Sequence, residues 1–280
     1  MSLKLNSPIV SVDWLERHLD QPNLKVLFSS LAKVGGHHTH AESIDYIPKS
    51  IEIDIKKQFS DVDAEFPNTL LSAEVFQEKA QSLGINHNDC IVVYDVYGIY
   101  SAPRVWWMFQ AMGFHNIAVL DGGLPEWKSK GFSTTKSLII PMEKGDFKAN
   151  FNQELIVSYK NVLESLDDDS INIADARSKG RFLGADPEPR EGVRGGHMPN
   201  AVSLPFGELL EDGKFKSKDE LKRIFFSIFN REKKAIFSCG TGVTACVLGL
   251  GATLAGYNQF AIYDGSWTEW GSIDGLPIEK

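Results

Sequence analysis

The sequence predicts an α/β protein of two domains, each a mostly parallel sheet flanked by helices. Three observations predict it. Short apolar runs alternate with helical segments in both halves, the second half repeats the first at a nearly fixed spacing, and 280 residues with 42% apolar content suit two cores better than one.

In the first half, Val26–Phe28, Ser50–Ile53, Ile91–Tyr94 and Ile117–Leu120 are strand-like. Pro103 opens a helix that runs through Met112, since a missing N–H is harmless in a first turn. In the second half the strands are Ile171–Ala174, Ala201–Leu204, Ala235–Phe237 and Phe260–Tyr263, with helices at Ser158–Leu166, Lys218–Phe229 and Thr244–Ala255. Strands covered by helices pair mostly in parallel, and such sheets place ligands at the carboxyl ends of their strands. The repeat is explicit: Met112-Gly113-Phe114, Leu120-Asp121-Gly122-Gly123 and Glu126-Trp127 recur 143 residues later as Ala255-Gly256-Tyr257, Tyr263-Asp264-Gly265-Ser266 and Glu269-Trp270. Further upstream the offset is 144, which sets Asp95 opposite Cys239. The domains expected are 1–140 and 153–280, joined by 141–152 within the stretch Lys128–Asn152, where Gly131, Pro141 and Gly145 interrupt any long apolar period.

Charge and composition exclude several classes. The formal charge of −8 comes without a basic stripe, which argues against nucleic acid. No segment nears the roughly 20 apolar residues that cross a bilayer, and the first residues lack a secretion signal, so no membrane is expected. Three cysteines, at 90, 239 and 246, are too few for a disulfide scaffold, and a cytoplasmic protein is expected. Cys90 and Cys246 sit in apolar runs as small core residues. His37-His38-Thr39-His40 has no companion ligands at a recognisable spacing and is expected to be a solvated loop; neither metal nor cofactor is expected. His197, at a strand entry, suits packing and backbone hydrogen bonding.

The chemistry concentrates in Ser238-Cys239-Gly240-Thr241-Gly242-Val243-Thr244-Ala245, between a strand and a helix. Glycines let the backbone curl so that successive N–H groups converge on one point, and the helix start adds its free N–H groups and positive dipole end. A cysteine held there is expected to be a thiolate at neutral pH. A buried structural cysteine beside a turn is the competing reading. Upstream, Arg177 follows Asp175 closely enough for an internal salt bridge that fixes the loop. Arg181 and Arg190 lie in the Gly/Pro-containing excursion 178–196, where their guanidinium groups can hold a carboxylate or simply serve solubility.

These residues resemble the tandem-domain sulfurtransferases of the rhodanese type, and within them the mercaptopyruvate-using branch. The resemblance rests on Cys239 to Ala245, on Tyr263-Asp264-Gly265-Ser266-Trp267-Thr268-Glu269-Trp270, on Asp175-Ala176-Arg177 with Gly180-Arg181-Phe182, and on the strand entries Tyr46-Ile47-Pro48 and Gly196-His197-Met198-Pro199. It implies two rhodanese-like domains, the first inactive with Asp95 in the cysteine's place. It also implies a Cys239 persulfide, with Arg181 and Arg190 on the substrate carboxylate and Gly240, Thr241, Gly242, Val243 and Thr244 lining the donor site. The implied donor is 3-mercaptopyruvate, with release of pyruvate, and the acceptor is a small thiol, a thioredoxin-like protein or cyanide. Thiosulfate is the alternative donor, and a noncatalytic sulfur carrier or binding protein the alternative class. Members with positive side chains in the loop tend to prefer thiosulfate, and Gly240-Thr241-Gly242 has none. Where related enzymes often carry a first-domain histidine as a proton relay, Phe66-Pro67-Asn68-Thr69-Leu70 offers Asn68. A phosphatase of similar loop would carry an arginine six residues after the cysteine, and this chain has Ala245 there.

Overall fold

The computed structural model describes residues 2–33, 45–230 and 232–280; the His37-His38-Thr39-His40 run lies outside them. The chain divides into two compact units. Unit 1 holds Met1–Ser60, Leu70–Asn152 and Asp212–Phe215, and unit 2 holds Asp61–Thr69, Gln153–Glu211 and Lys216–Lys280.

In unit 1 the strands are β1 (Ile9–Val10), β2 (Leu24–Ser30), β3 (Ser50–Asp54), β4 (Cys90–Tyr94) and β5 (Ile117–Leu120), interleaved with helices α1 (Val12–His18), α2 (Ala73–Ser82), α3 (Ala102–Ala111) and α4 (Gly123–Ser129). They form one parallel sheet in the order β1-β5-β4-β2-β3. Unit 2 has β6 (Ile156–Val157), α5 (Tyr159–Ser165), β7 (Ile171–Asp175), α6 (Lys179–Phe182) and β8 (Ala201–Ser203). The two-residue strands β9 (Leu210–Glu211) and β10 (Lys214–Phe215) follow, then α7 (Lys218–Ile228), β11 (Lys234–Ser238), α8 (Ala245–Ala255), β12 (Phe260–Tyr263) and α9 (Ser266–Ser272). The second sheet is also parallel, in the order β6-β12-β11-β7-β8. Exchanging each strand for its counterpart turns one order into the other. The sequence repeat is therefore a repeat of topology, and both units are mostly parallel sheets flanked by helices.

Local chemistry explains the element ends. Serines cap α1, α2, α5 and α7 by accepting amides of the first turn, and Ser158 and Ser217 each complete a reciprocal pair with the residue three positions on. α3 and α8 are buried nearly all round, as central helices of an α/β layer must be. Gly249 lets α8 approach β12 closely, because a Cβ there would stand 2.8 Å from the Phe260 ring. Trp127 and Trp270, partners in the repeat, are both fully buried anchors of their cores. Each donates its indole N–H to a downstream carbonyl, at Ser133 and Pro277, 2.9 Å away. Burying about 200 Å² of aromatic surface contributes about 5 kcal/mol at each position before entropy is counted.

Residues 130–152 carry no helix or strand, yet run along unit 1: Gly145 donates to Gln81, Phe147 to Ile85, and Asn150 and Asn152 to the end of α3 at Met112 and Ala111. Phe147 is buried against Phe76, Phe109 and Phe114. The segments Asp61–Thr69 and Asp212–Phe215 each belong to the unit opposite their flanking strands. They occupy equivalent chain positions, between β3 and α2 and between β8 and α7.

Candidate active site

β11 delivers Cys239 to the carboxyl end of the sheet, where the loop Gly240–Thr244 turns into α8. The thiol is 1% exposed. The loop does not hold itself. The hydroxyl of Ser266 accepts the amides of Cys239 (3.1 Å) and Gly242 (3.0 Å), donates to Tyr263 O (2.8 Å), and stands 3.9 Å from Cys239 Sγ. The first turn of α9 adds more: Trp267 N donates to Cys239 O (2.9 Å), and Thr268 donates to Gly240 O through its amide (3.0 Å) and its hydroxyl (2.7 Å). Gly242, at φ +74°, supplies the left-handed turn that brings its own N–H inward.

Ser266 itself has φ +51°, a conformation that costs an L-residue about 1–2 kcal/mol. Its counterpart in unit 1, Gly123, has the same φ of +51° without that cost. A serine at this backbone position is explained by its hydroxyl. Sequence reasoning quoted Ser266 and Thr268 within the tryptophan run but gave them no role. The signal that finds Ser266 is the glycine-to-serine change between repeats, from Gly123.

The counterpart loop in unit 1 shows what such a cradle holds. The Asp95 carboxylate, fully buried, accepts Tyr97 N on one oxygen (2.8 Å) and Tyr100 N, Ser101 N and Ala102 N on the other (2.8, 2.8 and 3.0 Å). In unit 2, Val243 and Thr244 stand where Tyr100 and Ser101 do, and among the described residues no protein acceptor faces their amides. The first cradle is filled by the chain's own anion, and the second is open to another.

Thr241, 7% exposed, accepts a hydrogen bond from Asn68 Nδ2 at 2.9 Å. Asn68 has φ +62° in a loop closed by Asp61 N on Thr69 O, and the left-handed backbone suits asparagine. An amide cannot accept and pass on a proton as a histidine would, so this contact orients the Thr241 hydroxyl and leaves its own proton free to donate.

The arginines differ from one another. Arg177 is buried, forks onto Asp175, donates to Gly196 O and to Glu188 Oε1 (2.7 Å), and lies 4.2 Å over the Trp267 ring, which is the loop-fixing role its sequence position predicts. Arg181 sits against the cysteine loop, with Nη2 3.2 Å from where a Gly240 Cβ would be, and its Nε and Nη2 grip Glu188 at 3.2 and 2.5 Å. Arg190 Nη1 reaches Thr268 Oγ1 at 3.5 Å, and through it the Gly240 carbonyl. Glu188 is the polar residue that sequence reasoning passed over.

The other singled-out groups are structural. His197 stacks on Phe182 at 3.8 Å and bonds its carbonyl through Nδ1. Cys90 and Cys246 are buried thiols that form no disulfide; burial pushes the Cys90 thiol up to about 12, and Cys246 donates to Gly242 O at 3.2 Å. Burial, with Asp264 and Glu65 nearby, raises the Glu269 carboxyl above the usual range. Among the described residues no group of three metal-ligating side chains occurs, and no helix is long and apolar enough to cross a membrane.

Comparison with known proteins gives this arrangement its context. The rhodanese-like domain model matches residues 11–130 and again 158–273. The chain is 39% identical to rat 3-mercaptopyruvate sulfurtransferase over 279 residues, covering 94% of this chain and 91% of the relative. It is 36% identical to the Arabidopsis thaliana thiosulfate/3-mercaptopyruvate sulfurtransferase 1 over 303 residues, covering 100% and 80%. The crystal structure of a 3-mercaptopyruvate sulfotransferase from Escherichia coli superposes with a TM-score of 0.84 at 32% identity, covering 94% of this chain and 99% of that one. The chain belongs to the rhodanese family, as a tandem two-domain sulfurtransferase.

Proposed function

We propose that Cys239 is the residue that carries sulfur and that 3-mercaptopyruvate is the preferred donor. The observation that carries this reading is the pair of cradles: the same loop that encloses a carboxylate at Asp95 presents a thiol and open amides at Cys239. The Cys239 thiolate attacks the donor sulfur, the carbon–sulfur bond breaks, and its electron pair passes to the carbon of a pyruvate enolate, which takes up a proton to give pyruvate. The outer sulfur remains on Cys239 as a persulfide, whose charge the Val243 and Thr244 amides and the start of α8 stabilise. A small thiol, a thioredoxin-like protein or cyanide then removes it. No cofactor takes part.

Arg190 and the outer edge of Arg181 are the cations for the donor carboxylate, and Thr241, steadied by Asn68, donates to its ketone oxygen. Since Asn68 holds no exchangeable acid proton near neutrality, the enolate proton comes from solvent or from the donor thiol. Three free cysteines suit a reducing compartment, and we place the protein in the cytoplasm. Thiosulfate stands as the second donor, because the Arabidopsis relative is named for both.

The test is incubation with 3-mercaptopyruvate, followed by mass spectrometry and pyruvate assay. One sulfur atom is expected on the peptide bearing Cys239, and none in Cys239→Ser. Sulfur on another residue, or pyruvate release surviving that substitution, overturns the assignment. Turnover with each donor against one acceptor decides the preference.

A further inference from the structure

Glu188 is flanked by Pro187 and Pro189, which fix the backbone on both sides, and its side chain is 4% exposed. Its two oxygens bind the two arginines that sequence reasoning treated separately: Oε1 takes Arg177 Nη1 (2.7 Å) and Arg181 Nε (3.2 Å), and Oε2 takes Arg181 Nη2 (2.5 Å). With Asp175 on the far side of Arg177, the four residues form a chain of alternating charge, Asp175–Arg177–Glu188–Arg181, whose formal sum is zero. The chain ends against Gly240, inside the cysteine loop.

Two consequences follow from that geometry. The forked edge of Arg181 made by Nε and Nη2, the edge best suited to a planar carboxylate, is already occupied by a protein carboxylate. And Arg181, although it touches the loop, brings no net charge to the donor site while Glu188 is paired with it.

We propose that Glu188 is a positioning residue that sets the net charge of the donor site and thereby favours donors with one negative charge over those with two. The proposal rests on the sulfurtransferase reading above. An added unit of positive charge multiplies the affinity of a monoanion by some factor, and that of a dianion by its square. The ratio between donors therefore shifts by that factor, on the order of five- to tenfold for a partly solvated site. Mercaptopyruvate carries one carboxylate charge, and thiosulfate carries two.

The experiment compares kcat/KM for thiosulfate and mercaptopyruvate, with one acceptor, in native protein and in Glu188→Gln, which keeps the shape and removes the charge. The thiosulfate-to-mercaptopyruvate ratio is expected to rise at least fivefold, through KM rather than kcat. The rise is expected to vanish when Arg181→Met is combined with Glu188→Gln and compared with Arg181→Met alone. Glu188→Asp, which keeps the charge, is expected to leave the ratio within twofold of native. A ratio unmoved by Glu188→Gln, with both donors falling together, overturns the proposal, as does a rise that persists without Arg181. If Glu188→Gln does not accumulate as folded protein, Glu188→Ser removes the same charge and is held to the same ratio. A native protein inert to both donors overturns the functional reading and this proposal with it; a failed Glu188 result overturns this proposal alone.

Discussion

Replacing Ser266 separates two opposing contributions at one residue. In Ser266→Ala the buried amides of Cys239 and Gly242 lose their shared acceptor while the φ of +51° remains. Each abandoned buried donor costs about 1–3 kcal/mol, and partial rescue by entering water places the total near 2–4 kcal/mol. Ser266→Gly loses the same acceptor but relieves the left-handed strain, which returns about 1 kcal/mol. The expected order of stability is native, then Ser266→Gly, then Ser266→Ala, and the last two differ by about 1 kcal/mol. Denaturant titration followed by tryptophan fluorescence reads the midpoints, because Trp267 adjoins the substituted residue and unit 2 can be followed through it. Persulfide formation in a single turnover, measured in parallel, is expected to slow in both variants, since both free the Cys239 amide. If Ser266→Ala proves at least as stable as Ser266→Gly, or if both stay within 0.5 kcal/mol of native, the hydroxyl is not what the strained backbone is kept for.

Arg190→Lys, which keeps the charge and removes the guanidinium fork, is expected to lower kcat/KM for mercaptopyruvate severalfold and for thiosulfate less, because only the former offers a planar carboxylate; equal losses in the two-donor assay would mean general anion attraction. Asn68→Ala is expected to cost roughly three- to tenfold in mercaptopyruvate turnover, the worth of one hydrogen bond to a hydroxyl. Asn68→His is expected to add a titration near pH 6.5 to the pH–rate profile relative to native protein, and a profile unchanged by the histidine would refute the contact with Thr241. Burial first, and the neighbouring Asp264 and Glu65 next, raise the Glu269 carboxyl in the folded state, so its ionisation subtracts stability as pH rises through the acid range. Glu269→Gln is therefore expected to raise the denaturation midpoint at pH 7 and to leave it unchanged below about pH 4, where the carboxyl is protonated in folded and unfolded chains alike.

The fold was legible because its signal is local. Runs such as Ile91–Tyr94 and Ala235–Phe237 are apolar throughout, as doubly covered parallel strands must be, and they fall inside β4 and β11. The edge strands β1 and β6 were not, since two residues, Ile9–Val10 and Ile156–Val157, make no pattern. The place of Cys239 and its glycines between a strand and a helix was legible because the apolar runs on either side are, and β11 and α8 flank them. Ser266 was not, because nothing in the letter marks a left-handed φ; only its register with Gly123 does. Glu188 carried no sequence signal of its own, because its burial depends on Arg177 and Arg181, which arrive from just after β7 and from α6. The passage of Asp61–Thr69 and Asp212–Phe215 into opposite units leaves no compositional trace, because the contacts that define it join residues far apart in the chain.

The filled cradle at Asp95 has a thermodynamic consequence. A loop that carries its own anion reaches its final structure without help, and its stability does not depend on the concentration of anything in solution. The loop at Cys239 carries no such internal anion, so a donor that binds reversibly against its Val243 and Thr244 amides would add RT ln(1 + [L]/Kd) to the stability of unit 2 alone. Of two nearly identical scaffolds, one carries its stabilising anion within the chain, while the stability of the other is expected to rise with the concentration of whatever anion it binds.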